Sequence, residues 1–369
     1  MKKEIIFSSY DSLKNPFYAG GGALAIHSIA KRLTANFRIT VLTASFNGSK
    51  NYILDGVRYE HISLPFLGPQ VGQLFFQIIL PFYVISKRFD CWIESFTPPF
   101  STSFLQLYTK KPVIGLVHML SAEDMYRKYK LPFPLIESIG LKTYNNFIVL
   151  SENAKNQILD KNKDANILLT TNGVDIPENL EPYSKRDQSY LLFIGRIEVN
   201  QKGLDILLSA YKKVLKTYSV KLKIAGTGSP NEVETLNDLI KVNGLEKNVE
   251  LLGRVGGVEK SETISHSTVI IVSSRFETFS IAALEAISYG IPLVCFDIKG
   301  MSWIPKEMVE RAKSFSDISL AEKISKLLDN RVLRSNISKL QIDKSKKYAW
   351  DDIARKYEDY IYKLIKGNE

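Results

Sequence analysis

Two glutamates and two cations have the types and spacing that could do chemistry. Glu277 and Glu285, with seven residues between them, lie in "SSRFETFSIAALEAISYGIPLVCFD", 273–297. An ionised carboxylate only accepts hydrogen bonds, so Glu285 suits a vicinal diol such as a ribose and Glu277 suits sugar hydroxyls. Arg196 and Lys202, in "FIGRIEVNQKG", could clamp a diphosphate. Taken singly, such cations are more often surface charges, and Glu285 alone could be a helix-surface glutamate.

Backbone N–H groups offer three further anion sites. Glycines before a helix, glycines at the end of a strand and the first turn of a helix all let N–H groups approach a phosphate. The residues concerned are Gly21, Gly22, Gly226, Gly228, Phe279, Ser280 and Ile281. For the glycines, an ordinary tight turn is the alternative interpretation. Neither the dinucleotide pattern nor the P-loop pattern is present.

A histidine ends one apolar run. His118 closes "KPVIGLVH", and a strand-terminal histidine that faces a cleft is a candidate for catalysis or binding. A structural histidine is the alternative. The other histidines, His27, His61 and His266, form no cluster with the spacing of a metal site.

These residues must be positioned by alternating strands and helices. Apolar runs of four to six residues, such as "RITVLTA" and "TVIIVSS", indicate strands that are buried on both faces. The pattern predicts a doubly wound α/β sheet, and it starts again after a polar, proline-containing linker at 174–189. We therefore expect two Rossmann-like domains that face each other across a cleft, at 1–178 and 188–345, followed by an amphipathic helix at 349–366.

The net charge and the number of cysteines limit the classes of partner and the compartment that we expect. The 369 residues carry a net charge of +10, which suits nucleic acid, an anionic lipid surface or a phosphorylated small molecule. The lysines are dispersed and no nucleic-acid-binding motif is present, so we expect no nucleic-acid partner. The two cysteines, Cys91 and Cys295, fit a reducing compartment, and the N-terminus is predicted to be a first strand rather than a signal peptide.

Together these residues resemble the retaining GT-B glycosyltransferases of family 4, the glycosyl transferases group 1. The resemblance covers nearly the whole chain. It depends on E-x7-E, on "GR…KG", "AGTG", "LLGRV" and "TNGVD" in the family's order, and on a last helix that contains Trp350. It implies the GT-B fold, with the last helix packed on the first domain.

The resemblance also implies roles on the sugar-donor side. Arg196 and Lys202 would bind the diphosphate, Glu285 the ribose and Glu277 the transferred sugar. The backbone around 254–255 would meet the base.

On the side of the first domain, the resemblance assigns an acceptor-side position near the sugar to His118. Gly21 and Gly22 would approach the diphosphate. In the second domain, the backbone positions that would meet the base are Arg254 and Val255. No metal and no cofactor other than the nucleotide-sugar co-substrate would be needed. Thr278 departs from the family's usual glycine or proline, which puts the shape of the sugar pocket in doubt.

Three functions remain open from the sequence. The leading one is retaining transfer of a hexose-type sugar from a nucleoside-diphosphate sugar to an acceptor hydroxyl, in polysaccharide, glycolipid or lipid-linked glycan synthesis. The others are a nucleotide-sugar epimerase of the same fold and a non-catalytic nucleotide-sugar-binding protein.

Two segments of the first domain bear on the acceptor. Aromatic and basic residues mix at 64–89 and 125–134, which suits a membrane interface and a lipid-linked acceptor. Within the first segment, the apolar run Val71–Ile85 is shorter than the roughly 20 residues that a spanning helix needs. A helix in the buried core is the alternative. We expect a cytoplasmic protein, either free or peripheral on the inner face of the membrane.

Overall fold

A computed structural model describes residues 2–15, 20–66, 68–96, 101–120, 122–178, 180–181, 183 and 189–367. The chain forms two compact units. Residues 1–173 and 350–369 make the first unit, and residues 174–349 make the second. The predicted linker therefore begins at the first residue of the second unit, and its residues 179, 182 and 184–188 lie outside the described part of the chain.

The first unit alternates strands with helices. In chain order its elements are β1 (Glu4–Ser8), α1 (Gly21–Leu33), β2 (Arg38–Ala44), β3 (Tyr52–Leu54), β4 (Val57–Ile62), α2 (Gly68–Ser86), β5 (Cys91–Ser95), β6 (Val113–Val117), α3 (Ala122–Tyr129), α4 (Phe133–Thr143), β7 (Asn146–Val149), α5 (Glu152–Lys161) and β8 (Asn166–Leu169). The described strands form one sheet in the order β3-β4-β2-β1-β5-β6-β7-β8. Only the β3–β4 pair among them is antiparallel.

The second unit repeats this pattern. Its elements are β9 (Tyr190–Ile194), α6 (Val199–Lys202), α7 (Leu204–Val214), β10 (Lys221–Ala225), α8 (Pro230–Val242), β11 (Val249–Gly253), α9 (Gly257–Ser265), β12 (Ser267–Val272), α10 (Ile281–Ser288), β13 (Leu293–Phe296), β14 (Glu310–Ala312), α11 (Asp317–Asp329) and α12 (Arg331–Ser345). Its described strands pair in parallel, in the order β11-β10-β9-β12-β13-β14. The chain thus has the α/β fold with parallel sheets that the sequence predicts.

The last helix, α13 (Trp350–Lys366), belongs to the first unit. It contacts α1, and the side chains of Trp350, Ile353, Tyr357 and Ile361 are buried in the same hydrophobic cluster as strands β1, β2 and β5. Helices α2, α4 and α5 contribute to the other cluster of this sheet. No helix in the described part of the chain is long and apolar enough to cross a membrane.

Candidate functional site

Three neighbouring strands of the second unit end at residues predicted to bind a ligand. β9 pairs in parallel with β10 on one side and with β12 on the other. Their carboxyl ends therefore share one edge of the sheet, and the loops that follow begin at Gly195, Gly226 and Ser273. Open α/β sheets bind ligands outside this edge.

Glycines allow the loops after β9 and β10 to touch. A Cβ atom on Gly226 would lie 1.7 Å from the carbonyl oxygen of Gly195, and one on Gly228 would lie 2.2 Å from that of Ile197. Any larger residue would force the backbones apart. Both glycines thus have a role in loop packing, and contact of Gly226 or Gly228 with a phosphate stays a prediction.

The loop after β9 also meets the loop after β12. Lys202 ends α6, and the next residue, Gly203, has a left-handed φ of 61°. A Cβ atom on Gly203 would lie 2.1 Å from the carbonyl oxygen of Ser273. The Ser273 hydroxyl donates a hydrogen bond of 2.8 Å to the carbonyl oxygen of Lys202. The two loops are therefore held in backbone contact directly beside Lys202.

Lys202 and Glu277 form an ion pair at this junction. The Lys202 Nζ lies 2.7 Å from Glu277 Oε1, and the side chains are 17% and 10% exposed. The Ser274 hydroxyl donates to the same oxygen, also at 2.7 Å. Glu277 Oε2 makes no hydrogen bond with any described residue. On the far side of the loop, a Cβ atom on Gly300 would lie 1.8 Å from the carbonyl oxygen of Glu277. The carboxylate is thus fixed in place with one oxygen available.

A second ion pair clamps the same two loops. Arg275 donates two hydrogen bonds to Asp205, of 2.8 and 2.6 Å, and a third of 2.7 Å to the carbonyl oxygen of Asn200. Burial alone would raise the pKa of Asp205. The hydrogen bonds and the charge of Arg275 outweigh this effect and hold the pKa below its usual value. The sequence alone did not indicate this pair, because a contact across 70 positions has no local pattern.

Arg196 is largely exposed at the end of β9. One terminal nitrogen of its guanidinium lies 2.9 Å from Glu198 Oε2. Arg254 and Val255 follow β11, the edge strand beside β10; the arginine is exposed and the valine is half-buried. These residues are accessible at the carboxyl ends of the strands, the same side of the sheet as Lys202.

Helix α10 begins at Ile281, one residue later than the start near Ser280 that its sequence pattern predicts. Ser280 is the N-cap, and its hydroxyl accepts a hydrogen bond from the N–H of Ala283. Ile281 is therefore the first helical residue whose N–H could meet an anion. Phe279 lies before the cap, and its ring stacks on Trp303 with the centroids 4.4 Å apart. Its side chain anchors the loop.

Glu285 lies on α10 and is not a surface residue. Its side chain is only 13% exposed, and Oε1 lies 2.5 Å from the Nζ of Lys260 on α9. Glu285 Oε2 makes no hydrogen bond with the described residues. No pattern in the sequence singles out Lys260, because a lysine in a polar helix is ordinary. Each glutamate of the E-x7-E pattern thus forms an ion pair with a lysine of another element, Glu277 with Lys202 and Glu285 with Lys260.

Three of the predicted site residues lie in the first unit. Gly21 and Gly22 are the first two residues of α1, and the N-cap, Gly20, makes no side-chain capping bond. His118 directly follows β6, and its Nε2 is closed to solvent without a hydrogen-bond partner among the described residues. Burial lowers the pKa of His118 to about 4, so the imidazole is neutral at pH 7.

A buried carboxylate lies near the end of β5 in the same unit. Glu94 Oε1 accepts a hydrogen bond of 2.7 Å from the N–H of Ser103, and Oε2 accepts one from the Tyr144 hydroxyl. The Tyr144 oxygen in turn accepts from the N–H of Leu105. Burial raises the pKa of Glu94 to about 7, although these hydrogen bonds oppose the shift. This network ties the segment after β5 to the sheet.

Metal ligands do not gather in the described part of the chain. No group of three or more His, Cys, Asp or Glu side chains there is arranged to hold a metal ion. The charged groups at the carboxyl ends of β9 and β12 form ion pairs with one another, Lys202 with Glu277 and Arg275 with Asp205.

The sequence of the second unit matches a known family. Residues 175–342 match the model of the family described as "Glycosyl transferases group 1". This range contains Arg196, Lys202, Glu277 and Glu285.

Curated relatives share the same class. The chain is 32% identical over 181 residues to the uncharacterized glycosyltransferase MJ1607 of Methanocaldococcus jannaschii, a match that covers 48% of this chain and 45% of the relative. It is 24% identical over 343 residues to MJ1178 of the same organism, covering 90% and 92%. It is 26% identical over 168 residues to a phosphatidyl-myo-inositol mannosyltransferase of Mycobacterium leprae, covering 44% of each. The chain thus spans less than half the length of the first and third of these relatives.

Solved structures match along the whole chain. Sucrose-phosphate synthase from Thermosynechococcus elongatus superposes with a TM-score of 0.82 at 16% identity, covering 99% of this chain and 100% of the other. The Anabaena protein Alr3699/HepE, in complex with UDP and glucose, gives 0.77 at 15% identity, covering 98% and 100%. Identities this low show the fold alone. The chain therefore has the GT-B fold, and its residues 175–342 match the family of group 1 glycosyltransferases.

Proposed function

We propose that this protein transfers a hexose from a nucleoside-diphosphate sugar to a hydroxyl of an acceptor, with retention of configuration at the anomeric carbon. The ion pair between Lys202 and Glu277 is the observation that carries the proposal. Lys202 Nζ and Glu277 Oε1 lie 2.7 Å apart near the carboxyl ends of two strands, and we propose that the lysine binds phosphate and that the carboxylate accepts from sugar hydroxyls. The HepE structure, a complex with UDP and glucose, supports a ligand of this kind.

The leaving diphosphate is the group that needs stabilisation. Lys202 and the exposed Arg196 supply positive charge there, and the N–H of Ile281 adds the partial charge of a helix terminus. Gly226 and Gly228 would bring further N–H groups to the phosphates, and the approach of Gly21 and Gly22 in the first unit stays a prediction from the family resemblance. We propose that these groups replace a metal ion.

Helix α10 and the loop after β11 hold the nucleoside. Glu285 accepts hydrogen bonds from the ribose hydroxyls, since its carboxylate is nearly enclosed and one oxygen is available. The backbone at Arg254 and Val255 contacts the base. A thermal-shift screen with UDP, GDP and ADP identifies the base, because a ligand of the native state raises its stability by mass action.

We propose a front-face reaction. The acceptor oxygen forms a bond to the anomeric carbon on the face from which the diphosphate leaves. The bond from this carbon to the diphosphate oxygen breaks, and the departing oxygen takes the acceptor's proton. Glu277 orients the sugar and is not a covalent nucleophile. The position of His118 near the sugar stays a prediction from the family resemblance, and burial lowers the pKa of this histidine to about 4.

Lys202→Ala and Glu277→Ala test the site directly. Removing a group that stabilises transition-state charge typically costs 10²–10³-fold in rate, and we expect losses of about this size in sugar transfer. Lys344→Ala and Glu307→Ala provide a matched control, because they break an exposed ion pair of 2.6 Å elsewhere in the second unit. Turnover that both site variants retain, with melting temperatures unchanged, would refute the assignment.

For the acceptor, we propose a lipid-linked molecule at an anionic membrane surface. Phe82 and Ile85 on α2 are 67% and 66% exposed, whereas Phe76 and Leu80 on the same helix are buried in the core. The segment is thus both a core helix and an exposed apolar surface. The name of the Mycobacterium leprae relative indicates a lipid acceptor for that protein and supports this choice.

Exposed apolar side chains are concentrated in this part of the chain. Of the 21 large hydrophobic side chains that are exposed in the described residues, 13 lie between Leu64 and Ile139. Helix α4 contributes Leu135 and Ile139 and packs on the same core cluster as α2. Leu67 and the side chains of Pro69, Gln70, Lys128 and Tyr129, in the predicted membrane segments, lie outside the described residues.

Vesicle sedimentation tests this part of the proposal. We expect the protein to bind vesicles that contain phosphatidylserine, and to bind them less at high salt because screening weakens attraction between charged surfaces. Equal absence of binding to anionic and neutral vesicles would contradict it and leave the donor site untouched.

A further inference from the structure

Glu285 depends on a cation from another element. The Nζ of Lys260 lies 2.5 Å from Glu285 Oε1, and the lysine side chain is 30% exposed. We propose that Lys260 is a positioning residue that orients the Glu285 carboxylate toward the ribose hydroxyls of the sugar donor. This inference rests on the proposed function, because it assumes that Glu285 binds a ribose.

Orientation matters because a glutamate side chain has several rotatable bonds. Fixing one such side chain on binding has an entropic cost that weakens the affinity. Lys260 imposes this order before a ligand arrives, because it occupies Oε1 and leaves Oε2 without a hydrogen-bond partner among the described residues. A ribose hydroxyl can then donate to Glu285 Oε2, whose orientation is already fixed.

The lysine itself is held by a second contact between the two helices. Ser261, the next residue on α9, lies with its hydroxyl 2.7 Å from the Tyr289 hydroxyl, one turn beyond Glu285. The backbone of Lys260 is thus fixed relative to α10. Helix α9 also follows directly after Arg254 and Val255, the segment proposed to meet the base. One short segment would therefore contact the base and aim the ribose acceptor.

A purely structural ion pair is the competing explanation. Partly exposed ion pairs contribute little to stability, so Lys260→Met would then change the melting temperature slightly and affect the binding of all nucleotides equally. A positioning role predicts an effect that depends on the ribose hydroxyls. The two explanations are separated by nucleotides that lack those hydroxyls.

The experiment measures the affinity of the full chain for UDP, GDP or ADP, whichever binds, and for its 2′,3′-dideoxy counterpart by calorimetry. We expect Lys260→Met to weaken binding of the ribonucleotide about tenfold and that of the dideoxynucleotide less than twofold. Lys260→Arg should restore most of the loss. In a Glu285→Gln background, Lys260→Met should add nothing. Lys323→Met is the matched control, because Lys323 is 32% exposed and pairs with Glu310, which is 12% exposed, elsewhere in the second unit; it should leave both affinities unchanged.

Three results would overturn the inference. Equal weakening of both nucleotides would show that Lys260 acts through its charge on the diphosphate. Unchanged affinity for both would show a structural pair. If the unaltered protein binds none of the three nucleoside diphosphates, the proposed function itself fails, which is a different outcome from unaltered binding in the Lys260 variant.

Discussion

The two units share an architecture but use their charged and apolar residues differently. In the second unit, charged side chains pair at the carboxyl ends of β9 and β12, where Lys202 meets Glu277 and Arg275 meets Asp205. In the first unit, the carboxylate near the end of β5, Glu94, is buried and hydrogen-bonded to neutral groups. The exposed apolar side chains are instead concentrated on its outer helices.

This difference teaches which kind of ligand each unit suits. Paired charges at a sheet edge can exchange partners with a charged small molecule. An exposed apolar helix face gains free energy only when something apolar covers it. Each prediction below tests one side of this contrast.

The largest effect is expected where the loops of the second unit touch. Gly203→Ala would place a Cβ atom 2.1 Å from a backbone oxygen, so the loops must separate and Lys202 must move. We expect sugar transfer to fall at least 100-fold. Gly244→Ala is the control, because Gly244 also has a positive φ, 69°, but has open space around it. Gly244→Ala should cost about 1–2 kcal/mol of stability and spare turnover. Equal activity in the two variants would show that the loop contact is unimportant.

A smaller effect is expected from the Arg275–Asp205 clamp. Arg275→Lys keeps the charge but cannot make the bidentate contact, so the loop that carries Lys202 should loosen. We expect kcat/KM for the nucleotide sugar to fall about 10- to 100-fold in steady-state assays, and Asp205→Asn to behave similarly. Arg355→Lys, in an exposed pair of the first unit, should change nothing. A clamp variant with normal kinetics would count against this positioning role.

On the first unit, removing the apolar surface should affect membranes and not chemistry. Each of Phe82 and Ile85 would contribute roughly 1.5–3 kcal/mol if fully buried in lipid. Phe82→Ser with Ile85→Ser should therefore weaken binding to anionic vesicles at least tenfold while leaving turnover on a soluble acceptor unchanged. Val242→Ser with Val332→Ser changes two equally exposed side chains, 82% and 71%, in the second unit. If that control loses as much vesicle binding, the contrast between the units is wrong.

The smallest effect concerns pH. The raised pKa of Glu94 means that the folded chain binds its proton more tightly than the unfolded chain. Its contribution to stability is therefore full below about pH 4.5 and lost as pH rises through about 7. Compared with Glu94→Gln, the unaltered protein should lose melting temperature by a few degrees across this range in thermal-shift scans. His118, whose pKa is lowered, acts in the opposite sense and is common to both proteins. Parallel pH curves for the two proteins would contradict the prediction.

The sequence predicted the features that depend on local pattern. Buried strands have continuous apolar runs, and the positions of Glu277 and Glu285 follow from one strand, one loop and one helix. The α/β class is confirmed, and the resemblance to the group 1 family is confirmed by the match of residues 175–342. The roles of the individual site residues stay predictions.

What the sequence could not supply are contacts between distant segments. Lys260 and Arg275 look like ordinary polar residues until the fold brings Glu285 and Asp205 beside them. The apolar run of α2 was equally ambiguous. A helix that is apolar on most sides does not reveal which face the core covers, and only packing shows that Phe76 is inside and Phe82 outside.

The return of α13 to the first unit has a consequence for synthesis of the chain. The ribosome must translate all of 174–349 before it makes the helix that covers one face of the first sheet. At roughly 5–20 residues per second, this face waits on the order of 10–35 s for Trp350, Ile353 and Tyr357. During that interval α1 covers this apolar sheet face but α13 does not, which makes the first unit a natural client for chaperones even though most of its sequence is translated first.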